Sequence, residues 1–143
     1  MLKNIPKILS PELLKVLAEM GHGDTLVLAD GNFPSETNGQ RVVRADGHGV
    51  PELLDAILEL FPLDITYSKY PVGLMEVVKG DPTVPEIWAE YKKILAKHSP
   101  TEPNIEYIER FEFYDRAKKA YAVVATGEGA IYANMLLTKG VVQ

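Results

Sequence analysis

Five residues in this sequence have side chains suited to acid–base or hydroxyl-binding chemistry. His22 lies between two glycines, and histidine side chains titrate near neutral pH, so an imidazole can give and take a proton at working pH. Asp30 follows a short apolar run, and Arg110 is expected to end a later strand, where a guanidinium can donate paired hydrogen bonds to vicinal hydroxyls or a carboxylate. Tyr132 and Asn134 alternate along an expected last strand and would share one face of it. Both donate and accept hydrogen bonds, which suits a polyhydroxy ligand.

Each of these residues also has an ordinary structural role. A turn histidine or a strand-end aspartate commonly bonds the local backbone, a surface arginine commonly forms an ion pair, and polar side chains on a strand commonly bond across it. For His22 the structural and the functional interpretation are evenly balanced on the residues alone. His22 and Asp30 flank the run Leu26–Ala29, so they lie roughly 20 Å apart at about 3.3 Å per residue. A single site that contains both needs a neighbouring strand or a second subunit.

Other motifs are weaker or missing. The three histidines lack i,i+4 spacing and a nearby carboxylate cluster, so no metal site is predicted. His48 is interpreted as a solvated loop histidine, and His98 as a helix-end contact with the dipole. The glycines lack the spacing of a phosphate loop or a dinucleotide fingerprint. Trp88 and Tyr91 lie on one apolar helical stripe, which favours the core over a sugar platform.

Helices and strands are predicted to alternate along most of the chain. Ser10 and Pro11 form a good helix start, with a hydroxyl cap before a proline at the first helical position. The apolar spacing predicts helices over 11–20, 51–61, 85–97 and 114–119, and strands over 26–29, 41–45, 72–78, 105–110, 121–126 and 131–137. The short turn Gly127-Glu128-Gly129 is expected to close a hairpin between the last two strands. This alternation predicts an α/β fold, a layered α/β/α single domain over residues 1–143 with a mixed central sheet.

Composition narrows the function classes. The 143 residues carry a net charge of −5 without a basic stripe, which argues against nucleic acid as a partner. The chain has no cysteine, so disulfides, thiolate zinc sites and cysteine nucleophiles are excluded. No run approaches the about 20 apolar residues of a membrane span, and no signal peptide follows the N-terminal lysines. These features indicate a cytoplasmic enzyme or binding protein.

Several motifs, in order along nearly the whole chain, resemble the L-fucose mutarotase / D-ribose pyranase family. The motifs are Gly21-His22-Gly23-Asp24, Ala29-Asp30-Gly31-Asn32-Phe33-Pro34, Arg110-Phe111-Glu112-Phe113-Tyr114-Asp115-Arg116-Ala117 and Tyr132-Ala133-Asn134-Met135-Leu136-Leu137 with Lys139-Gly140-Val141. The Gly-His-Gly-Asp, Asn-Phe-Pro and Arg-Phe-x-Phe-Tyr elements are similar to the fucose mutarotase branch, whereas the pyranase branch tends to carry Gly-His-Thr-Asp. Gly31 is a departure, because fucose-type members often have alanine there.

The resemblance implies the fold of that family and a cofactor-free isomerase that interconverts the α and β anomers of L-fucose or a related monosaccharide. By analogy, His22 is the proton donor, Asp30, Arg110, Tyr132 and Asn134 hold the sugar hydroxyls, and Tyr132 shares the proton transfer. No metal is implied. The family further implies a ring-shaped homo-oligomer, commonly a decamer, with sites between subunits. Two alternatives stay open: a D-ribose pyranase that interconverts pyranose and furanose forms, and a monosaccharide-binding protein without catalysis.

Overall fold

One antiparallel strand lies inside an otherwise parallel six-stranded sheet. The structure is a computed structural model that describes residues 1–143. The strands are β1 (Thr25–Ala29), β2 (Val42–Ala45), β3 (Val72–Met75), β4 (Ile105–Ile108), β5 (Ala122–Thr126) and β6 (Met135–Thr138), in the spatial order β2-β5-β1-β6-β3-β4. β6 pairs antiparallel with β1 and β3, and the other pairs are parallel. The carboxyl ends of the five parallel strands and the start of β6 therefore meet at one edge, here called the C-terminal edge.

Helices cover both faces of the sheet. They are α1 (Pro11–Glu19), α2 (Ser35–Asn38), α3 (Val50–Leu58), α4 (Ile87–His98) and α5 (Arg110–Lys119). Successive residues of a strand point to opposite faces, so Leu26 and Leu28 join the larger core under α1, α3 and α4, while Val27 and Ala29 join the smaller core under α5. These two cores confirm the predicted α/β/α layers and the mixed sheet.

Local signals located most elements correctly. The Ser10 side chain caps α1 by accepting a hydrogen bond from the Leu13 N–H, with proline at the start of the helix, as predicted. The last predicted helix, over 114–119, begins earlier, at Arg110, and the strand before it ends at Ile108. The cause is Glu109, whose carboxylate accepts hydrogen bonds from the N–H groups of Phe111 and Glu112 and so starts the helix directly after the strand.

The predicted hairpin between the last two strands is wrong. β1 lies between β5 and β6 and pairs with both. The connection after β5 crosses the end of β1, where the Gly31 N–H donates to the Glu128 carbonyl at 2.8 Å. β6 is also shorter than predicted, because residues 131–134 precede it in an irregular segment. No helix combines the length and the apolar character needed to cross a membrane.

Candidate functional site

A small cleft opens at the C-terminal edge of the sheet, between the ends of β1, β3 and β4 and the segment before β6. Its volume is about 340 Å³, at the lower end of the roughly 300–1,000 Å³ of small-molecule pockets. Four of the five residues singled out in the sequence line it: Asp30, Arg110, Tyr132 and Asn134. The remaining lining residues are Asn32, Met75, Val78, Asp81, Ala130 and Ile131.

Asp30 and Asn134 are joined at the floor of the cleft. The buried Asn134 accepts a hydrogen bond through Oδ1 from the Asp30 N–H at 2.8 Å. The Asp30 carboxylate in turn accepts from the Asn32 N–H at 2.9 Å, which fixes its orientation. Burial raises the pKa of Asp30, although these hydrogen bonds and that of Phe33 oppose the shift. The cleft thus contains a partly desolvated carboxyl group beside an amide, a pair that can accept and donate hydrogen bonds to hydroxyls.

Tyr132 reaches the cleft from the irregular segment and not from a strand, which corrects the predicted strand alternation of Tyr132 and Asn134. Its φ is +55°, a conformation that is uncommon for residues other than glycine. Two donors from α4 hold this segment: Trp88 Nε1 donates to the Tyr132 carbonyl at 2.8 Å, and the Tyr91 hydroxyl donates to the Ala133 carbonyl at 2.6 Å. Tyr91 is fully buried, as its helical stripe predicted, and burial raises its pKa. The core aromatics of α4 therefore also position the cleft.

Arg110 lies in the first turn of α5 and not at the end of a strand, because the helix begins directly after Glu109. Its Nε donates to the Tyr114 hydroxyl at 3.1 Å, and this bond raises the pKa of the guanidinium. The guanidinium carbon lies 5.3 Å from the centre of the Phe111 ring. One N–H is engaged with Tyr114, so the terminal NH₂ groups can bind a ligand in the cleft.

His22 lies at the opposite edge of the sheet, in the turn before β1. Its Nε2 is 3.2 Å from Oδ2 of Asp64, and its ring centre is 5.1 Å from that of Tyr67. The side chain of Asp64 is 6% exposed and that of His22 is 41% exposed, so a buried carboxylate orients a half-exposed imidazole. Burial alone would raise the pKa of Asp64, but hydrogen bonds from the Tyr67 N–H and from His22 outweigh it and the pKa lies below its usual value.

No feature of the sequence indicated Asp64, which lies 42 residues from His22. The segment after α3 runs beside the end of β6, where the Asp64 N–H donates to the Thr138 carbonyl and Leu63 pairs with Lys139. Because β6 lies next to β1, this contact carries the carboxylate to the turn that holds His22. No local spacing or motif could have predicted the pair.

The two other histidines form carboxylate pairs of their own. Nδ1 of His48 lies 3.2 Å from Glu52. His98, predicted as a contact with the helix dipole, instead bonds Asp55 through Nε2 at 2.6 Å and thereby connects α4 to α3. With Asp64, His98 also lines a second cavity, of about 560 Å³.

One chain thus carries two separate groups of candidate residues. His22 and Asp64 form a hydrogen-bonded pair at one end of β1, and the cleft with Asp30 lies at the other end. No residue lines both the cleft and the surroundings of His22. The gap expected from the sequence is not closed within a single chain.

The fold and the geometry of these residues define a one-domain α/β protein with a small polar cleft at the C-terminal edge of its sheet. The model of the RbsD / FucU transport protein family matches residues 3–142. The chain belongs to this family.

Curated relatives are similar over nearly their whole length. The human fucose mutarotase is 52% identical over 146 aligned residues, which cover 98% of this chain and 94% of the relative. The L-fucose mutarotase of Actinobacillus pleuropneumoniae is 51% identical, with 99% of this chain and 97% of the relative covered. These similarities confirm the family recognised from the motifs.

Solved structures confirm the fold. The fucose mutarotase of Streptococcus pneumoniae in complex with L-fucose superposes with a TM-score of 0.95 at 51% identity, covering 99% of this chain and all of that one. The Bacillus subtilis RbsD complexed with D-ribose is more distant, with a TM-score of 0.75 at 25% identity and both chains fully covered.

Proposed function

We propose that this protein is an isomerase that interconverts the α and β anomers of L-fucose. The observation that carries the proposal is the similarity, at a TM-score of 0.95 and 51% identity over nearly the full chain, to a fucose mutarotase that holds L-fucose. The polar cleft supports it, since a carboxyl group, a guanidinium, a phenol and an amide converge there. The more distant likeness to a ribose-bound protein makes D-ribose the second sugar to test.

The reaction needs only proton transfers. One group protonates the ring oxygen while another accepts the proton of the anomeric hydroxyl, and the bond between the anomeric carbon and the ring oxygen breaks to give the open-chain aldehyde. Rotation about the adjacent carbon–carbon bond turns the carbonyl, and the ring closes on the other face as both protons return. No atom changes its oxidation state over the cycle, so acid–base assistance, typically worth about 10² to 10⁴ in rate, is the contribution the protein must make.

In this proposal His22 donates the proton to the ring oxygen. Asp64 has a pKa below its usual value and at neutral pH is a carboxylate that only accepts hydrogen bonds, so Nε2 of His22 carries a hydrogen toward it. Nδ1 is then the ring nitrogen left to act on the sugar, and it donates when the imidazole carries a hydrogen on both nitrogens. Asp30, Arg110 and Asn134 bind sugar hydroxyls, and Tyr132 binds the sugar and shares the proton transfer.

We further propose that the active site is completed between subunits of a cytoplasmic, ring-shaped homo-oligomer, a decamer by the family resemblance. The separation of His22 from the cleft supports this assembly, because groups at opposite ends of one strand can meet only across an interface. The cleft of one subunit would then receive the imidazole of its neighbour.

The first experiment is exchange NMR on the anomeric protons of L-fucose, with D-ribose in parallel. Wild-type protein should transfer magnetisation between the α and β fucose signals, and His22→Ala should abolish the transfer. His48→Ala is the matched control, because the His48 side chain is 42% exposed and also lies 3.2 Å from a carboxylate. Exchange only on ribose, reaching the furanose signals, would indicate a pyranase, and binding without exchange would indicate a sugar-binding protein.

Subunit mixing tests the shared site. His22→Ala and Asp30→Ala subunits, each inactive alone, are unfolded together and reassembled in equal amounts. If each site takes His22 from one subunit and Asp30 from the next, random assortment restores about a quarter of the wild-type rate. Mixed subunits that stay inactive would contradict the shared site. So would a protein that exchanges the anomers of L-fucose but is a monomer by light scattering.

A further inference from the structure

The hydroxyl of Tyr132 is engaged on two sides by groups of the protein itself. It donates to Oδ2 of Asp81 at 2.6 Å, and the Val78 N–H donates to the same phenol oxygen at 3.3 Å. Val78 and Asp81 belong to the loop after β3, and both line the cleft. The proton of Tyr132 is therefore directed toward this loop.

Asp81 is itself held in place by its other oxygen. Oδ1 accepts from the Thr83 N–H at 2.9 Å and from the Thr83 hydroxyl at 2.6 Å. The bonds from Thr83 and Tyr132 hold the pKa of Asp81 below its usual value. At neutral pH it is a carboxylate, which only accepts hydrogen bonds. Asp81 is exposed at the rim of the cleft, but its two oxygens have separate, assigned partners.

These contacts determine what Tyr132 can offer a sugar. A phenol has one proton to donate and its oxygen lone pairs to accept with. The phenol donates its one proton to Asp81, and its oxygen already accepts a hydrogen bond from the Val78 N–H. The oxygen can therefore accept only one more hydrogen bond. The bond to Asp81 also raises the pKa of Tyr132, so the phenol holds its proton at neutral pH before any transfer takes place.

We propose that Asp81 is a positioning residue that makes Tyr132 a hydrogen-bond acceptor for a sugar hydroxyl. This inference rests on the proposed function of the cleft as the sugar site. It assigns complementary roles around the sugar: Arg110 only donates hydrogen bonds, while Tyr132 accepts a hydrogen bond from a sugar hydroxyl. A hydroxyl that donates to Tyr132 is thereby oriented with its hydrogen toward the protein, as the loss of a hydroxyl proton requires.

Asp81→Asn tests the inference, because it keeps the shape and removes the acceptor. The two donors of Thr83 retain the amide oxygen on their side, so the NH₂ group faces Tyr132 and donates to the phenol. The Tyr132 proton is then turned into the cleft, which reverses the polarity of its bond to the sugar. We expect Asp81→Asn to lower the exchange rate or the affinity for L-fucose by about tenfold, the lower range for a hydrogen bond to a charged group.

A double-mutant cycle separates this role from a structural one. In a Tyr132→Phe background, Asp81→Asn should have no further effect on exchange or on the Kd for L-fucose, because the phenol through which it acts is gone. Thr83→Val is the loop control: it removes one bond to Asp81, keeps the backbone bond and the contact with Tyr132, and should stay within about twofold of wild type. Melting temperatures of all variants check that the fold is retained.

The outcomes are distinct. Equal loss from Asp81→Asn in the tyrosine and phenylalanine backgrounds would overturn the inference, and so would wild-type behaviour of Asp81→Asn. Wild-type protein that binds L-fucose without exchanging its anomers would refute the mutarotase function, and the cycle would then be decided on Kd. Protein that neither binds nor exchanges L-fucose would overturn both proposals.

Discussion

Removing one buried hydroxyl in α4 should disturb the cleft at a distance. Tyr91 is fully buried, and its hydroxyl donates to the Ala133 carbonyl at 2.6 Å. Tyr91→Phe keeps the ring in the core and leaves that carbonyl without its donor. An unsatisfied buried acceptor costs about 1–3 kcal/mol, so the melting temperature of a protein of this size should fall by about 3–10 °C.

Tyr91→Phe should also slow anomer exchange, because Ala133 lies between the cleft residues Tyr132 and Asn134. The Tyr91 and Trp88 bonds hold this segment, in which Tyr132 has a positive φ. With one of the two bonds lost, the segment relaxes and both cleft side chains shift. Since small displacements of positioned groups are costly in catalysis, we expect exchange on L-fucose to fall by up to about tenfold.

Differential scanning calorimetry and exchange NMR measure the two effects. Tyr107→Phe is the matched control, because that side chain is 44% exposed and packs its ring against Trp88 at 5.2 Å; its stability should change by less than about 0.5 kcal/mol. A Tyr91→Phe protein that melts and exchanges like wild type would refute the reasoning, since Ala133 would then need no donor from α4.

Three further changes should separate stability from activity, with denaturant unfolding and exchange NMR as the measurements. Asp30→Asn should stabilise the fold at pH 7 while lowering exchange: burial raises the folded pKa of Asp30, so its ionised form weakens the fold above the ordinary aspartate pKa of about 3.9, and the gain should vanish as the pH falls below that value. Asp64→Asn should do the opposite at pH 7 and destabilise the fold, because the folded pKa of Asp64 is lowered; its contribution is present above about pH 3.9 and is lost as the pH falls through the folded pKa. It should also slow exchange by about tenfold or more through the loss of the bond that orients His22; unchanged exchange would mean that His22 needs no orienting carboxylate. Gly31→Ala should change stability by less than about 1 kcal/mol and retain exchange on L-fucose, because its Cβ would lie 3.3 Å from the Glu128 carbonyl oxygen and need only a small shift; a large loss on either measure would mean that the crossing segment cannot move.

Much of the fold was readable because its signals are local. Ser10 and Pro11 start α1 through a cap that involves residues three positions apart, and the apolar spacing of the helices and strands reports which face of each element is buried. The family motifs likewise carry their information in consecutive residues, so the amino-acid sequence alone was enough to name the candidate cleft residues Asp30, Arg110, Tyr132 and Asn134.

What the sequence could not decide depends on strand order and on contacts between distant segments. The pattern of β5 and β6 is compatible with a hairpin, and only the packing of the whole sheet inserts β1 between them. The segment in which Tyr132 has a positive φ is held by donors from α4: Trp88 lies 44 residues from Tyr132, and Tyr91 lies 42 residues from Ala133.

The hydrogen-bond partners that the sequence missed have the same origin. Asp64 meets His22 because the segment after α3 bonds the end of β6, and Asp81 meets Tyr132 because the loop after β3 lines the cleft. The amino-acid sequence by itself determined the elements, the family and the residue types of the site, since these depend on neighbours along the chain. Only the tertiary structure decided which side chains hold the candidate site residues in place, because that depends on which strand lies beside which.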